Sequence, residues 1–416
     1  MKRSTRILDR GARAASALRG GLFVALLFQA ACVKVAPTAP QIQSPSDTTF
    51  SIAGATFRND TSISRSVLSP GNNNRLWKFI DKAGDGGTVR IGFIGGSITA
   101  GARASDLQHD YASLFCKYAG QLFPKASIVQ INAGIGATNS RFGTSRIQDD
   151  LLQYAPDLVV VEFGVNDDPS DSFTTMASME GVVRQCLQKP DLPVIMLFLM
   201  NSTGDSTDQH WHSLVGRHYG IPLISYRNEC WPLVESGQIP EDSLFADAIH
   251  PNNQGHHLLA FLLSSFLANT ISANRPDPVL MVAAPLVTAL YEHAFVMKST
   301  DTLQSVSATG GWTESIGGYN RVSFKSLAAG DTLRVASRAK ELTIGYQLSV
   351  NTNSSIMVSI DGVLTDTLSN TWVNGTQGGI MQLWRLYLDS IPAAHTVLFT
   401  SADNDTFDIN YILGAP

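Results

Sequence analysis

Val89-Arg90-Ile91-Gly92-Phe93-Ile94-Gly95-Gly96-Ser97-Ile98-Thr99-Ala100-Gly101 is an apolar run that ends in two glycines and a serine. A buried strand that stops at Gly-Gly-Ser lets the backbone turn sharply. It leaves one hydroxyl at the strand's carboxyl end, where open α/β sheets place their ligands. Ser97 is therefore the candidate nucleophile; the plainer alternative is an ordinary strand-to-loop turn in which Ser97 caps a helix.

Around this stretch the chain alternates. Arg75–Ala83 has helical apolar spacing and stops at Gly84. After the strand ending at Ser97, apolar runs are followed by amphipathic ones: Ile128–Ile131 then Arg146–Tyr154, Leu158–Phe163 then Met176–Leu187, Val194–Leu199 then Trp211–Tyr219, and Leu223–Ser225 then Leu258–Leu267. Continuous apolar strands alternating with helices specify a parallel sheet covered on both faces, a three-layer α/β/α domain expected over 71–275. Near Asn269–Pro278 the pattern changes. Beyond Phe295 it has period two, as in Leu342-Ile344-Tyr346-Leu348-Val350 and Ile356-Val358-Ile360, with Gly, Asn, Asp and Ser between the runs. These short strands predict a second, all-β sandwich domain over 285–416.

The amino terminus is different in kind. Lys2, Arg3, Arg6, Arg10, Arg13 and Arg19 precede the apolar run Gly21–Phe28 and then Gln29-Ala30-Ala31-Cys32. A basic region, a short apolar region and small residues before a cut read as an export signal over 1–31, too short to span a bilayer comfortably. Ala30-Ala31-Cys32 resembles a bacterial lipobox, which implies lipidation of Cys32 and a place in the cell envelope; cleavage without lipid would give a secreted or periplasmic protein, and an uncut signal a membrane anchor. The segment 32–70, rich in Pro, Ser and Thr in its first half, is expected to be a disordered tether.

With 16% charged residues and a net charge of -5 over 416 residues, nothing invites nucleic acid. Besides Cys32 there are Cys116, Cys186 and Cys230, so at most one internal disulfide is expected. No His/Cys cluster has zinc-ligand spacing, and neither metal nor cofactor is expected.

Three more stretches fall where strands should end: Asn132-Ala133-Gly134-Ile135-Gly136-Ala137-Thr138, Gly164-Val165-Asn166-Asp167, and Asp247-Ala248-Ile249-His250-Pro251 before the last helix. Parallel strands share a carboxyl edge, so all four loops should meet. Serine is a weak nucleophile until an imidazole takes its proton, and a carboxylate must fix that imidazole's tautomer. His250 and Asp247 suit these roles. The backbone N–H groups of Ser97 and of the Gly136–Ala137 turn, with the Asn166 amide, could bind the developing oxyanion.

These four ordered blocks resemble the SGNH (GDSL-type) serine hydrolases, over roughly Leu76 to Leu267. The resemblance implies a flavodoxin-like α/β/α domain with Ser97 as nucleophile, His250 as general base, Asp247 as its orienting carboxylate and Asn166 as oxyanion donor. Two departures stand out: Gly-Asp-Ser-Leu is Gly-Gly-Ser-Ile here, and the oxyanion glycine falls on Ala137. The Gly-Gly-Ser-Ile-Thr form with an appended β-domain resembles carbohydrate esterases that remove acetyl groups from plant polysaccharides, which implies an acetylated substrate such as xylan. A lipase, thioesterase or acyltransferase would use the same triad, and a silent carbohydrate-binding lipoprotein would not use it at all.

Other residues read as structural. Glu162, inside an apolar strand, is expected to pair with Arg141 or Arg146. His256 and His257 are expected to be solvated or capping, His210 and His212 to pack on a helix, and Cys116 to fill the core. Trp312, Tyr319, Tyr346, Trp372, Trp384 and Tyr387 of the β-domain could stack on sugar rings but suit a core better. Asn351, Asn353 and Asn374 read as loop tips.

Overall fold

The computed structural model describes residues 49–58, 63–204, 208–278, 281–297, 305–316, 322–350, 352–372 and 379–416. The expected export signal, Cys32, Tyr319, Asn351 and Asn374 lie outside them.

Residues before the expected domain boundary at 71 are folded against the α/β domain. Strands β1 (Thr49–Ile52) and β2 (Ala55–Arg58) form an antiparallel hairpin, followed by a short helix α1 (Ile63–Ser66) and strand β3 (Val67–Ser69). Phe57 is buried in the α/β core and Phe50 packs on Phe261. The reading of 32–70 as tether is therefore corrected from Thr49 onward. Ile52, Ala55 and Phe57 supply the buried apolar surface that ties this hairpin to the α/β core.

The first domain continues with α2 (Asn74–Gly84), β4 (Thr88–Gly95), α3 (Tyr111–Leu122), β5 (Ser127–Gly134), α4 (Ser140–Asp150), β6 (Leu158–Glu162), α5 (Ser172–Leu187), β7 (Val194–Phe198), α6 (Gln209–His218), β8 (Leu223–Ser225), α7 (Tyr226–Glu235) and α8 (Asn253–Ile271). The sheet order is β3-β8-β7-β6-β4-β5, parallel except for β3. Side-chain alternation divides the strands between two cores. Leu158, Val160, Ile195 and Leu197 face the layer of α2, α3 and α8, whereas Val159, Val161, Met196 and Phe198 face α4, α5 and α6. Burial on both faces is why these strands read as unbroken apolar runs. The strand order reverses beside β4, with β5 on one side and β6 on the other. The crevice of an open sheet opens at such a reversal, and Ser97 follows β4 directly.

The second domain is antiparallel. It holds β9 (Phe295–Val296), β10 (Ser305–Thr309), β11 (Thr313–Ile316), β12 (Val322–Lys325), β13 (Thr332–Ser349), β14 (Ser355–Ile360), β15 (Val363–Ser369), β16 (Gly379–Ser401) and β17 (Asp408–Ala415). β13 and β16 pair from Thr332–Thr400 to Ser349–Gly379, with register shifts around Glu341 and Leu342. Bulges bend strands. On one side of the shift β13 also pairs with β10, on the other with β17, and Leu333, Val335, Ile344 and Tyr346 share one core with Phe399 and Ile409. The layers of the β-domain are thus joined through these bent strands rather than built from separate sheets.

The two domains are fastened together. Glu180 on α5 accepts the N–H groups of Leu286, Val287 and Thr288 in the connecting segment, and the Tyr219 hydroxyl donates to it. Phe142 on α4 packs on Tyr411 of β17, ring centres 4.4 Å apart, within an apolar seam that includes Ile135, Val296 and Leu413.

Candidate active site

The turn after β4 is tight. A β-carbon on Gly95 would collide with Thr99 and the Glu162 carbonyl, and one on Gly96 would collide with the Asn166 amide. Glycine at both positions lets Ser97 sit half-buried at the sheet edge. The N–H groups of Ala100 and Ala102 close the turn on the carbonyls of Gly96 and Ser97 at 3.1 and 2.9 Å.

His250 and Asp247 reach this serine from the loop before α8. Ser97 Oγ lies 2.9 Å from His250 Nε2, and His250 Nδ1 lies 2.9 and 3.0 Å from the two oxygens of Asp247. An ionised carboxylate only accepts, so Nδ1 carries the proton and Nε2 is left to accept from the serine. Asp247 Oδ1 also accepts the N–H groups of Ile249 and His250 at 2.9 and 2.8 Å, and Arg103 Nε donates to Oδ2 at 2.7 Å. Partial burial alone would raise the carboxyl's pKa; these donors override it and hold the group well below the usual carboxylate range.

The other two loops stand against the serine. A β-carbon on Gly136 would lie 3.8 Å from Ser97 Cβ. Ala137 has φ +55, so the residue that replaces the expected glycine keeps a glycine-like backbone. Asn166 Oδ1 is buried without a hydrogen-bond partner, and the side chain stands against Gly96, beside the serine.

Buried polar groups hold these loops in place. Arg146, fully buried, donates to the carbonyls of Ala133 and Gly95 at 2.6 and 3.1 Å, tying the ends of β5 and β4 together. Asp167 accepts the Ser140 N–H at 2.7 Å and lies 2.8 Å from His212 Nε2, which links the asparagine loop to the start of α4. Asn132 Nδ2 donates to the Thr99 carbonyl at 2.7 Å.

Residues 93–258 match the model of the GDSL-like lipase/acylhydrolase family. The α/β domain belongs to that family. With this GDSL acylhydrolase domain the chain is a carboxylic ester hydrolase. It is also similar, at 26% identity, to two crystal structures of a two-domain esterase active on acetylated mannans, one of them co-crystallized with mannopentaose. These matches cover 85% of this chain and 97–98% of the other, with TM-scores of 0.77 and 0.78. No curated protein matches the sequence.

A cleft of about 410 Å³ between the domains is lined by the glycine and asparagine loops, while Ser97 and His250 lie outside its lining. Ala137, Asn166 and Asp168 line one side, and Glu341, Leu383 and Arg385 of the β-domain the other. The sequence left open that the β-domain covers one wall of the cleft, but nothing local marks which β-strand faces the first domain.

Several single-residue expectations change. Glu162 pairs with neither arginine: it accepts from the Gly164 N–H at 2.9 Å and the Thr99 hydroxyl at 3.3 Å. Arg141 instead reaches Glu341 across the domain boundary, and Arg146 takes the strand-end carbonyls. Burial pushes the Glu162 carboxyl up to about 7, and a carboxyl inclined to keep its proton needs no cation. His256 is buried, not solvated; its Nδ1 accepts the Tyr111 N–H and its Nε2 bonds the Ala102 carbonyl. His257 packs edge-on against Phe50 and bonds the Tyr118 hydroxyl. His212 packs on α6 as expected, while His210 is exposed beside Trp211. Cys116, Cys186 and Cys230 form no disulfide. Of the β-domain aromatics, Trp312 and Tyr346 fill the core, whereas Trp384 is exposed and donates to Asp366.

Proposed function

We propose that this GDSL-family hydrolase is an O-acetyl esterase of polysaccharides, with Ser97, His250 and Asp247 as its triad, exported and anchored through lipid on Cys32. The observation that carries the reading is the unbroken chain Ser97 Oγ to His250 Nε2 to Asp247 at the sheet's reversal point. The likeness of both domains together to an esterase active on acetylated mannans supports the substrate class and favours mannan over xylan.

In this mechanism Ser97 Oγ attacks the acetyl carbonyl carbon while His250 Nε2 takes its proton. Asp247 holds the ring and stabilises the imidazolium. The carbonyl oxygen becomes an oxyanion facing the N–H groups of Ser97 and Ala137 and the Asn166 amide. Collapse breaks the bond to the sugar oxygen, which leaves with the proton from His250. Water, deprotonated by the same imidazole, then attacks the acetyl-serine and releases acetate. The interdomain cleft gives the sugar chain a place beside the oxyanion loops.

The test is acetate release from p-nitrophenyl acetate, acetylated mannan and acetylated xylan by the protein from Val33 onward, wild type beside Ser97→Ala. The variant should lose on the order of a million-fold in kcat. Mannan as the best polymer supports the substrate assignment; xylan as the best polymer keeps the mechanism and replaces the substrate. No Ser97-dependent release from any ester by a folded protein refutes the proposal. Radiolabelled palmitate incorporation lost in Cys32→Ser would establish the anchor, and unlabelled wild type would refute it.

A further inference from the structure

We propose that Arg103 is a positioning residue of this site: by holding one oxygen of Asp247 it fixes the carboxylate under the His250 ring and joins the nucleophile's loop to the base's loop. The inference rests on the esterase reading above.

Three observations carry it. Arg103 Nε lies 2.7 Å from Asp247 Oδ2, the oxygen that the backbone N–H groups of Ile249 and His250 leave uncovered. Those two N–H groups fix Oδ1, so Arg103 supplies the remaining restraint that keeps both oxygens about 3 Å from Nδ1. Secondly, Arg103 stands at φ +66, a conformation that arginine rarely adopts. Such strain persists where the surroundings enforce it, and it concentrates at functional sites. Thirdly, the same loop is stitched to α8 on both sides of this contact. The Ala102 carbonyl meets His256 Nε2, and the Ser105 N–H and hydroxyl meet the Asn253 side chain. The loop after the nucleophile is thus laid against the acid-base loop, with the guanidinium as its charged contact.

The experiment compares wild type, Arg103→Met, Arg103→Lys and Ser97→Ala on p-nitrophenyl acetate from pH 5 to 9, at low salt and in 0.5 M NaCl, with the far-UV spectrum and thermal midpoint of each. In Arg103→Met kcat should fall about three- to tenfold at nearly constant KM, the loss expected of one charge-assisted contact. Salt should narrow the separation between variant and wild type, because the pair is solvent-facing. Arg103→Lys should recover part of the loss. An unchanged kcat overturns the inference, as does a change confined to KM, which would make Arg103 a substrate contact. Wild-type activity that survives in Ser97→Ala overturns the underlying esterase reading instead, so the two failures are distinguishable.

Discussion

Replacing Glu341 by glutamine should loosen the junction between the domains. Glu341 is 1% exposed on β13, at the bulge, and accepts from Arg141 Nε at 3.0 Å, Arg141 Nη2 at 2.5 Å, the Tyr291 hydroxyl at 2.6 Å and the Thr343 hydroxyl at 2.9 Å. Arg141 is itself 5% exposed and lies over the Tyr291 ring, 4.5 Å from its centre. The amide keeps the shape but leaves a buried guanidinium without its counter-charge, and breaking a buried pair from one side costs about 3–5 kcal/mol. Arg141→Met combined with Glu341→Gln should lose less than the sum of the two single changes, because no buried charge is stranded. Burial alone would raise the Glu341 pKa, but Arg141 outweighs it and holds the group below its ordinary 4.5. The unfolded state then binds the proton more readily, so the stabilisation is complete above about pH 4.5 and drains away as pH falls below it. Urea unfolding followed by tryptophan fluorescence and far-UV circular dichroism, at pH 7 and at steps below 4.5, measures both effects. A loss under about 1 kcal/mol at pH 7, or a gap between wild type and variant that does not shrink in acid, would refute the reasoning.

At Ala137, φ +55 strains an L-residue by roughly 1–2 kcal/mol, and glycine's extra unfolded entropy offsets about 0.5–1 of that, so Ala137→Gly should keep stability within about 1 kcal/mol and retain activity. Ala137→Val cannot hold that backbone and should cost ten- to a thousand-fold in kcat, in the range of losing one oxyanion donor; normal turnover by the valine variant would remove the Ala137 N–H from the mechanism. Glu162, raised by burial to about 7 from an ordinary 4.5, keeps a proton in the folded state that the unfolded chain releases. Stability should therefore decline by roughly 3 kcal/mol as pH rises from about 4.5 to 7, and Glu162→Gln should flatten that slope, as urea titrations across the range would register.

Much of the site was readable because parallel strands share one carboxyl edge. Once Ser97, the Gly136–Ala137 turn, Asn166 and the Asp247–His250 pair were each placed at a strand end or before the last helix, their convergence followed from topology. Buried strands in contact with two cores also write themselves plainly, as Leu158–Phe163 does. Charged partners were less legible. Glu162 lies on β6 and Arg146 on α4, close enough to suggest a pair, yet the arginine is taken by two carbonyls and the carboxyl by a hydroxyl and an N–H. Side-chain reach and competing backbone groups decide such pairings, and neither has a periodicity. Arg103 was missed for the same reason: nothing in Gly101-Ala102-Arg103-Ala104 announces a left-handed arginine aimed at a residue far along the chain.

The sequence by itself determined the α/β domain, the β-domain after it and the four loops that meet at Ser97, because strand and helix periods and strand-end glycines are local properties. The tertiary structure decided that the Thr49–Arg58 hairpin joins the α/β domain, burying Phe57. It also decided how the β-domain becomes a wall of the cleft, through Arg141 on Glu341 and Phe142 on Tyr411. Those contacts join residues some two hundred positions or more apart, and their energy lies in matched surfaces and buried charge, which exist only once both domains are folded.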